Sequence, residues 1–241
     1  MKILNLHSPN FNKKKRRSSQ IKLIIIHYTG MQSERESIKR LCNSQSKVSS
    51  HYLISKSGKI FRMVNDYHIA WHAGKSCWKW YKNLNKNSIG IELVNKGHDF
   101  GYTNFKKKQI SILIKLCKKL IRKYNIKREN IIGHSDIAPL RKIDPGEKFP
   151  WEYLSKKKIG IWHDFKVDFL KNQRKLKVNK KKDKKKFMQL LNKIGYCFNN
   201  NKKRSIFKTI KSFQRHYRKD LINGFLDREC LIIAKNLAKK Q

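Results

Sequence analysis

Acidic residues are scarce in this chain of 241 residues: 16 Asp and Glu stand against 59 Lys and Arg, and the formal net charge is +43. Long apolar runs are also missing. None approaches the roughly 18–20 residues that cross a bilayer, so no transmembrane segment is expected. Hydrophobic residues still make up 39% of the chain and aromatic residues 11%. This share is enough for a packed core, which excludes wholesale disorder.

Cysteine is sparse, with five residues, an odd number, and no Cys-x-x-Cys pair. A disulfide framework is therefore not expected, and a reducing compartment is favoured. The N-terminus has no apolar stretch of about 7–15 residues, so we also expect no conventional signal peptide. Both absences favour the cytoplasm over the alternative, the periplasm or cell envelope.

The excess positive charge is spread evenly, with +25 on residues 1–160 and +18 on residues 161–241. Basic proteins bind phosphate backbones without sequence preference, so a nucleic-acid-binding protein is one alternative. Such a protein would need aromatic residues interleaved with Lys and Arg on one face, or a known reading motif. The sequence has neither, and no specific nucleic-acid partner is expected.

Strand and helix patterns alternate over the first 160 residues. Apolar strands are predicted at 21–28, 88–95 and 130–133, a hairpin at 50–64, and helices at 33–43 and 105–125. The helix at 33–43 has a capping-box start at Ser33, and the one at 105–125 has an apolar stripe. These patterns predict an α/β domain with a central mixed sheet flanked by helices.

The last third of the chain has a different character. Residues 171–186 contain ten Lys or Arg and one Asp, which is typical of a solvated linker or a basic helix start. Three helical patterns follow, with caps predicted at Gly195, Ser205 and Asp227. The predicted organisation is a catalytic domain at 1–160, a basic linker at 161–182 and a small three-helix domain at 183–241.

Polar residues stand at the ends of the predicted strands. His27 and His134 each close a strand, and Asp144 follows ten residues after His134. Two imidazoles and one carboxylate form a three-ligand zinc set with a fourth position left open. Glu92, within an apolar strand, is the natural base, and Lys142 could stabilise an oxyanion. Spacing alone leaves hydrogen-bonded histidines and a solvent-facing Glu92 as alternatives.

Six motifs narrow this choice. They are Ile24–Thr29, Ser50–Ile54, Ala70–Gly74, Asn87–Asn95, Gly133–Pro139 and Arg141–Gly146. In this order they resemble the zinc-dependent N-acetylmuramoyl-L-alanine amidases, which share the peptidoglycan-recognition-protein fold, and the resemblance covers about residues 20–155. It implies hydrolysis of the amide between N-acetylmuramic acid, or its 1,6-anhydro form, and the L-Ala of a peptidoglycan stem peptide. The alternative is a non-catalytic muropeptide receptor on the same fold.

The resemblance also implies residue roles. One Zn²⁺ is expected on His27, His134 and Asp144, with Glu92 as proton acceptor and Lys142 as transition-state support. Five further residues are candidate substrate contacts, although packing or turn roles fit them equally well: His51, Trp71, His72, Asn87 and Arg141.

The three-helix tail resembles the peptidoglycan-binding domain that accompanies many amidases. The motifs are Leu190–Tyr196, Ile210–Tyr217 and Gly224–Asp227. This likeness predicts a murein-binding module and favours the cell envelope, against the cytoplasm that the missing signal peptide favours. A helical cap without a ligand of its own is the alternative.

Overall fold

The computed structural model describes residues 2–179 and 181–241. The strands in these ranges are Ile3–Asn5 (β1), Phe11–Asn12 (β2), Leu23–Tyr28 (β3), Tyr52–Ile54 (β4), Ile60–Arg62 (β5), Ile69–Ala70 (β6), Cys77–Trp78 (β7), Tyr81–Lys82 (β8), Ser88–Leu93 (β9) and Ile131–Gly133 (β10). The helices are Glu34–Cys42 (α1), Lys107–Tyr124 (α2), His134–Ile137 (α3), Trp151–Lys156 (α4), Val167–Arg174 (α5), Lys182–Ile194 (α6), Lys203–Tyr217 (α7) and Arg228–Ala238 (α8). None of these helices is long and apolar enough to span a bilayer.

Six strands form one mixed sheet in the order β1-β5-β4-β9-β3-β10. The central strand β3 pairs in parallel with β9 and with β10, whereas β4 and β5 run antiparallel. The register places His27 opposite Glu92, and Ile26 opposite Gly133. Because parallel strands end at the same edge of a sheet, this edge carries His27, Glu92 and the residue after Gly133. The predicted fold class is confirmed.

The two faces of the sheet pack against different partners, because successive strand residues point to opposite sides. Ile24 and Ile26 face the apolar stripe of α2. Leu23 and Ile25, on the other face, belong to one apolar cluster with residues of α6, α7 and α8. His27 shares the second face by its spacing, so the metal-ligand candidate lies on the side that the C-terminal helices cover.

Several predicted caps are confirmed. The side chain of Ser33 accepts a hydrogen bond from the Glu36 amide at the start of α1, Gly195 ends α6, and Asp227 caps α8. The cap predicted at Ser205 is wrong. Helix α7 begins two residues earlier, and the carbonyl of Ser205 accepts a hydrogen bond from the Thr209 hydroxyl inside the helix.

The predicted linker at 161–182 is in part a packed helix. Leu170 of α5 is buried, and the Arg174 guanidinium donates to both carboxylate oxygens of Glu229 on α8, at 2.6 and 3.3 Å. Lys180, which falls in the predicted linker, lies outside the described residues. The high lysine content hid this helix because only Leu170 of α5 is buried.

The expectation of no disulfide is also wrong. Cys77 on β7 and Cys197 after α6 are joined by a disulfide, with Cα atoms 5.8 Å apart. The two residues are separated by 120 positions in sequence, so spacing could not reveal the pair. The bond ties the β7–β8 hairpin to the C-terminal helices, and it removes Cys77 as a nucleophile.

Candidate active site

Three donor atoms converge at the edge of the sheet. His27 Nδ1 lies 3.0 Å from His134 Nδ1, and each of these nitrogens lies 3.1 Å from Asp144 Oδ2. His27 ends β3, His134 begins α3 directly after β10, and Asp144 lies in the loop that follows α3. All three side chains are buried. The structure therefore brings together the three residues that the sequence predicts as metal ligands.

The outer nitrogen of His27 is fixed by a chain of hydrogen bonds. His27 Nε2–H donates to His72 Nδ1 at 3.1 Å, and His72 Nε2–H donates to Ser88 Oγ at 3.2 Å. Ser88 in turn donates to the Leu84 carbonyl at 2.6 Å. This order leaves the Nδ1 lone pair of His27 free for a metal. His72 is thus placed behind a ligand, with both ring nitrogens used inside the protein, and it is not a direct substrate contact as predicted.

The second imidazole is held in the same way. His134 Nε2–H donates to the Ala73 carbonyl at 3.2 Å, which also turns its Nδ1 toward the shared point. Gly90 of β9 leaves room for the supporting histidine, because a Cβ there would lie 2.4 Å from His72 Cγ. The sequence motifs around Ala73 and Gly90 thus serve the orientation of the two imidazoles.

The donor set fits a zinc ion. Ligand atoms about 2.1 Å from a tetrahedral zinc lie about 3.4 Å from one another, close to the 3.0–3.1 Å separations of the three donors. Burial lowers the pKa of His27 to about 4, so the imidazole is neutral at pH 7, as a ligand must be. Burial opposes ionisation of Asp144, but the two imidazoles hold the pKa of Asp144 well below its usual value.

Two backbone contacts lock the segments that carry the ligands. The amide of Ser135 donates to the Asp144 carbonyl at 2.8 Å. A Cβ on Gly133 would lie 2.6 Å from Pro145 Cδ, so only glycine permits this approach of β10 to the Asp144 loop. The ten-residue spacing of His134 and Asp144 is therefore closed by direct packing.

Glu92 lies beside the donor set, opposite His27 in the register of β3 and β9. Its side chain is buried, and Oε2 has no hydrogen-bond partner among the described residues. Burial, and then the charge of Asp144, raise the pKa of Glu92 to about 8, against the opposing effect of Lys142. A carboxyl group with a pKa near neutrality and a free oxygen suits proton transfer.

This pKa predicts a pH-dependent stability for the zinc-free protein. Folded Glu92 keeps a proton up to about pH 8, whereas an unfolded glutamate loses it near 4.5. The unfolding free energy should therefore fall by about 1–2 kcal/mol from pH 6.5 to 8. Buried His27 acts only below about pH 6.5, where its neutral form adds stability as pH rises. Chemical denaturation at several pH values should show this fall in the wild type and a flatter profile in Glu92→Gln. Equal slopes would contradict the assignment.

The site opens into a cavity of about 380 Å³. Besides Glu92 and the three donors, it is lined by Lys142 and Arg141. The Arg141 guanidinium donates to the carbonyls of Ala73 and Lys75, so its position is set by the strand-to-hairpin segment, and it remains exposed at the rim. Lys142 and Arg141 are thus the two cationic side chains of the predicted set that a substrate can reach.

The remaining predicted contacts lie elsewhere. His51 is fully buried, with Nδ1 accepting from the Gly90 amide and Nε2 bonded to Arg16. Trp71 donates from Nε1 to Asn12, and Asn87 donates to the Gln20 carbonyl next to β3. None of these three lines the cavity. Their motifs support the sheet and its connections, and the prediction that they contact substrate is corrected.

A buried metal-ligand triad, a carboxyl base and two cations at the parallel edge of a mixed sheet define a metal-assisted hydrolase. The N-acetylmuramoyl-L-alanine amidase family model matches residues 17–147 of this chain. The chain belongs to this family. It is an amide hydrolase of peptidoglycan, as predicted, and the non-catalytic alternative is set aside.

Two relatives extend over nearly the whole chain. N-acetylmuramoyl-L-alanine amidase AmiD of Escherichia coli (strain K12) is 38% identical over 235 residues, covering 92% of this chain and 83% of AmiD. The solved AmiD complex with anhydro-N-acetylmuramic acid-L-Ala-D-gamma-Glu-L-Lys has a TM-score of 0.81 at 34% identity, covering 95% of this chain and 93% of AmiD. AmpDh3 of Pseudomonas aeruginosa has a TM-score of 0.81 at 29% identity, covering 96% of both chains.

Proposed function

We propose that this amidase binds one Zn²⁺ through His27, His134 and Asp144. The observation that carries the proposal is the convergence of three buried donor atoms within 3.0–3.1 Å, with the outer nitrogen of each imidazole bonded inside the protein. Such outer bonds fix the tautomer that a zinc ligand needs. When bound, zinc supplies a Lewis acid that polarises a carbonyl and acidifies water.

The chain's own residues supply the proton transfers. Glu92 accepts a proton from the attacking water through its unpartnered oxygen and delivers it to the departing amine of L-Ala. Lys142, whose positive charge is felt by Glu92, faces the same cavity and stabilises the negative charge that develops on the lactyl carbonyl oxygen. Arg141 at the rim is placed to meet a carboxylate of the stem peptide.

The proposed substrate is a muropeptide that ends in 1,6-anhydro-N-acetylmuramic acid. The solved AmiD and AmpDh3 complexes contain anhydromuramic peptides, which supports this choice. AmpD of Haemophilus influenzae, a 1,6-anhydro-N-acetylmuramyl-L-alanine amidase, is 41% identical over 113 residues, although the chain spans only 59% of it. Residues 183–241 are proposed to add contact with intact murein, based on their likeness to peptidoglycan-binding domains.

Zinc content and activity should change together. We expect about one zinc per chain in the wild type and far less in Asp144→Asn, measured by elemental mass spectrometry. Release of stem peptide from purified anhydro-muropeptide should stop with a chelator and return with added zinc. Glu152→Gln, an exposed change on α4, is the control and should match the wild type. Full activity in protein freed of metal would contradict the zinc proposal.

We further propose that the enzyme works in an oxidising compartment such as the periplasm, contrary to the expected cytoplasm. The Cys77–Cys197 disulfide supports this assignment, because disulfides persist outside reducing compartments. Alkylation of protein taken directly from its native cells should label three cysteines, namely Cys42, Cys117 and Cys230, after unfolding without reductant. Labelling of all five would place the enzyme in a reducing compartment.

A further inference from the structure

Asp136 links the metal loop to the rest of the protein. It follows the ligand His134 by two residues and is 1% exposed. Its Oδ2 accepts a hydrogen bond from the Gly133 amide at 2.8 Å, which caps helix α3 at the end where His134 begins it. The Asp136 carboxylate therefore fixes the backbone turn that presents His134 to the metal site.

The other partners of this carboxylate come from the C-terminal helices. Tyr196 donates from its hydroxyl to Asp136 Oδ1 at 2.6 Å, and Ser212 donates to the same oxygen at 3.3 Å. His216 donates from Nδ1 to Oδ2 at 2.7 Å. All three donors are at most 3% exposed. They lie 60 to 80 residues beyond Asp136, on α7 or just after α6.

A stacked ring pair strengthens the same contact. His216 stacks on Trp151, with ring centroids 4.0 Å apart and planes 17° apart. Trp151 in turn lies against Gly133, where a Cβ would be 3.4 Å from Trp151 Cζ2. Helix α7 thus contacts the ligand-bearing turn both by hydrogen bonds and by packing.

We propose that Tyr196, Ser212 and His216 are positioning residues of the metal centre, acting through Asp136 on His134. A buried carboxylate that loses its donors must find other partners, and the turn that it caps then shifts. Small displacements of a ligand weaken metal binding, since groups that orient ligands typically contribute about 10–100-fold in affinity. The C-terminal helices are therefore part of the catalytic unit, whatever murein contact they add. The inference rests on the proposed zinc site.

Two changes at His216 separate the hydrogen bond from the stacking. His216→Phe keeps a ring against Trp151 but removes the donor, whereas His216→Asn keeps a donor near the Nδ1 position and removes the ring. Tyr196→Phe deletes a single hydroxyl. Thr209→Val is the matched control, because it removes a buried hydroxyl of α7 that bonds only to the Ser205 carbonyl of its own helix.

The readout is zinc affinity by chelator competition on the full-length protein, with the visible spectrum of the cobalt-substituted site as a second signature. We expect the Kd for zinc to rise about ten-fold in His216→Phe and in Tyr196→Phe, with an altered cobalt spectrum. His216→Asn should stay within about three-fold of the wild type, and Thr209→Val should not change. Thermal unfolding of the zinc-free proteins checks that each variant is folded.

Three outcomes would overturn the inference. In the first, His216→Phe and Tyr196→Phe bind zinc as Thr209→Val does and give the wild-type cobalt spectrum, which would make the contacts purely structural. In the second, His216→Asn loses as much affinity as His216→Phe, which would assign the effect to the ring. In the third, the wild type binds no zinc, which would also overturn the proposed function.

Discussion

Replacing Glu92 by Gln should lower kcat by about 10²–10⁴-fold while zinc stays bound. The amide has the shape of the carboxyl group but cannot accept the proton of the attacking water. Glu92 is not one of the three donor atoms that converge on the metal point, so the ligand set remains intact. KM should change little, because the loss falls on the chemical step. Steady-state kinetics with anhydro-muropeptide, together with zinc analysis of the same sample, measure both expectations.

The matched control is Glu152→Gln, which makes the same chemical change at an exposed position of α4. It should keep the wild-type kcat. A Glu92→Gln variant that retains zinc and more than about a tenth of the wild-type kcat would exclude Glu92 as the main base. Loss of zinc from this variant would instead assign Glu92 a role in metal binding.

Replacing Phe213 by Ala should lower the unfolding free energy by about 3–5 kcal/mol. Phe213 is fully buried on α7, and its ring contacts those of Phe187, Tyr196 and Tyr217. The apolar cluster that contains it also includes Leu23 and Ile25 of the central strand. The whole protein should therefore unfold in a single transition, monitored by denaturant titration.

Phe225→Ala provides the control for this prediction, since that ring is 67% exposed. The control should shift the unfolding free energy by no more than about 0.5 kcal/mol. Two separate transitions, of which only one moves in Phe213→Ala, would contradict a shared core. They would restore the interpretation of residues 183–241 as an independent domain behind a linker.

The ligand set could be predicted because parallel strands end at one edge. His27, Glu92 and His134 each lie at or near such an end, and their local motifs survive in one sequence. The role of His72 could not be predicted in this way. A histidine next to a tryptophan in a loop fits substrate contact as well as support, and only the register of β9 with its neighbours places it behind His27.

The C-terminal contacts were beyond the reach of the sequence for a different reason. Helical periodicity identifies the buried face of α7, but not the surface that this face meets. The contacts of His216 with Asp136 and of Cys197 with Cys77 span 80 and 120 residues. Each partner also has an unremarkable local sequence. A lysine-rich composition then favoured a linker where α5 packs on α8.

Hydrolysis of anhydro-N-acetylmuramoyl-L-Ala peptide in ¹⁸O-enriched water tests the central claim most directly, with the products analysed by mass spectrometry. Attack of water on the lactyl carbonyl places one ¹⁸O in the carboxylate of anhydro-N-acetylmuramic acid and leaves the released peptide, with a free L-Ala amine, unlabelled. A parallel sample with chelator should contain intact substrate. Label in the peptide, or no release by the zinc-loaded enzyme, would contradict the account.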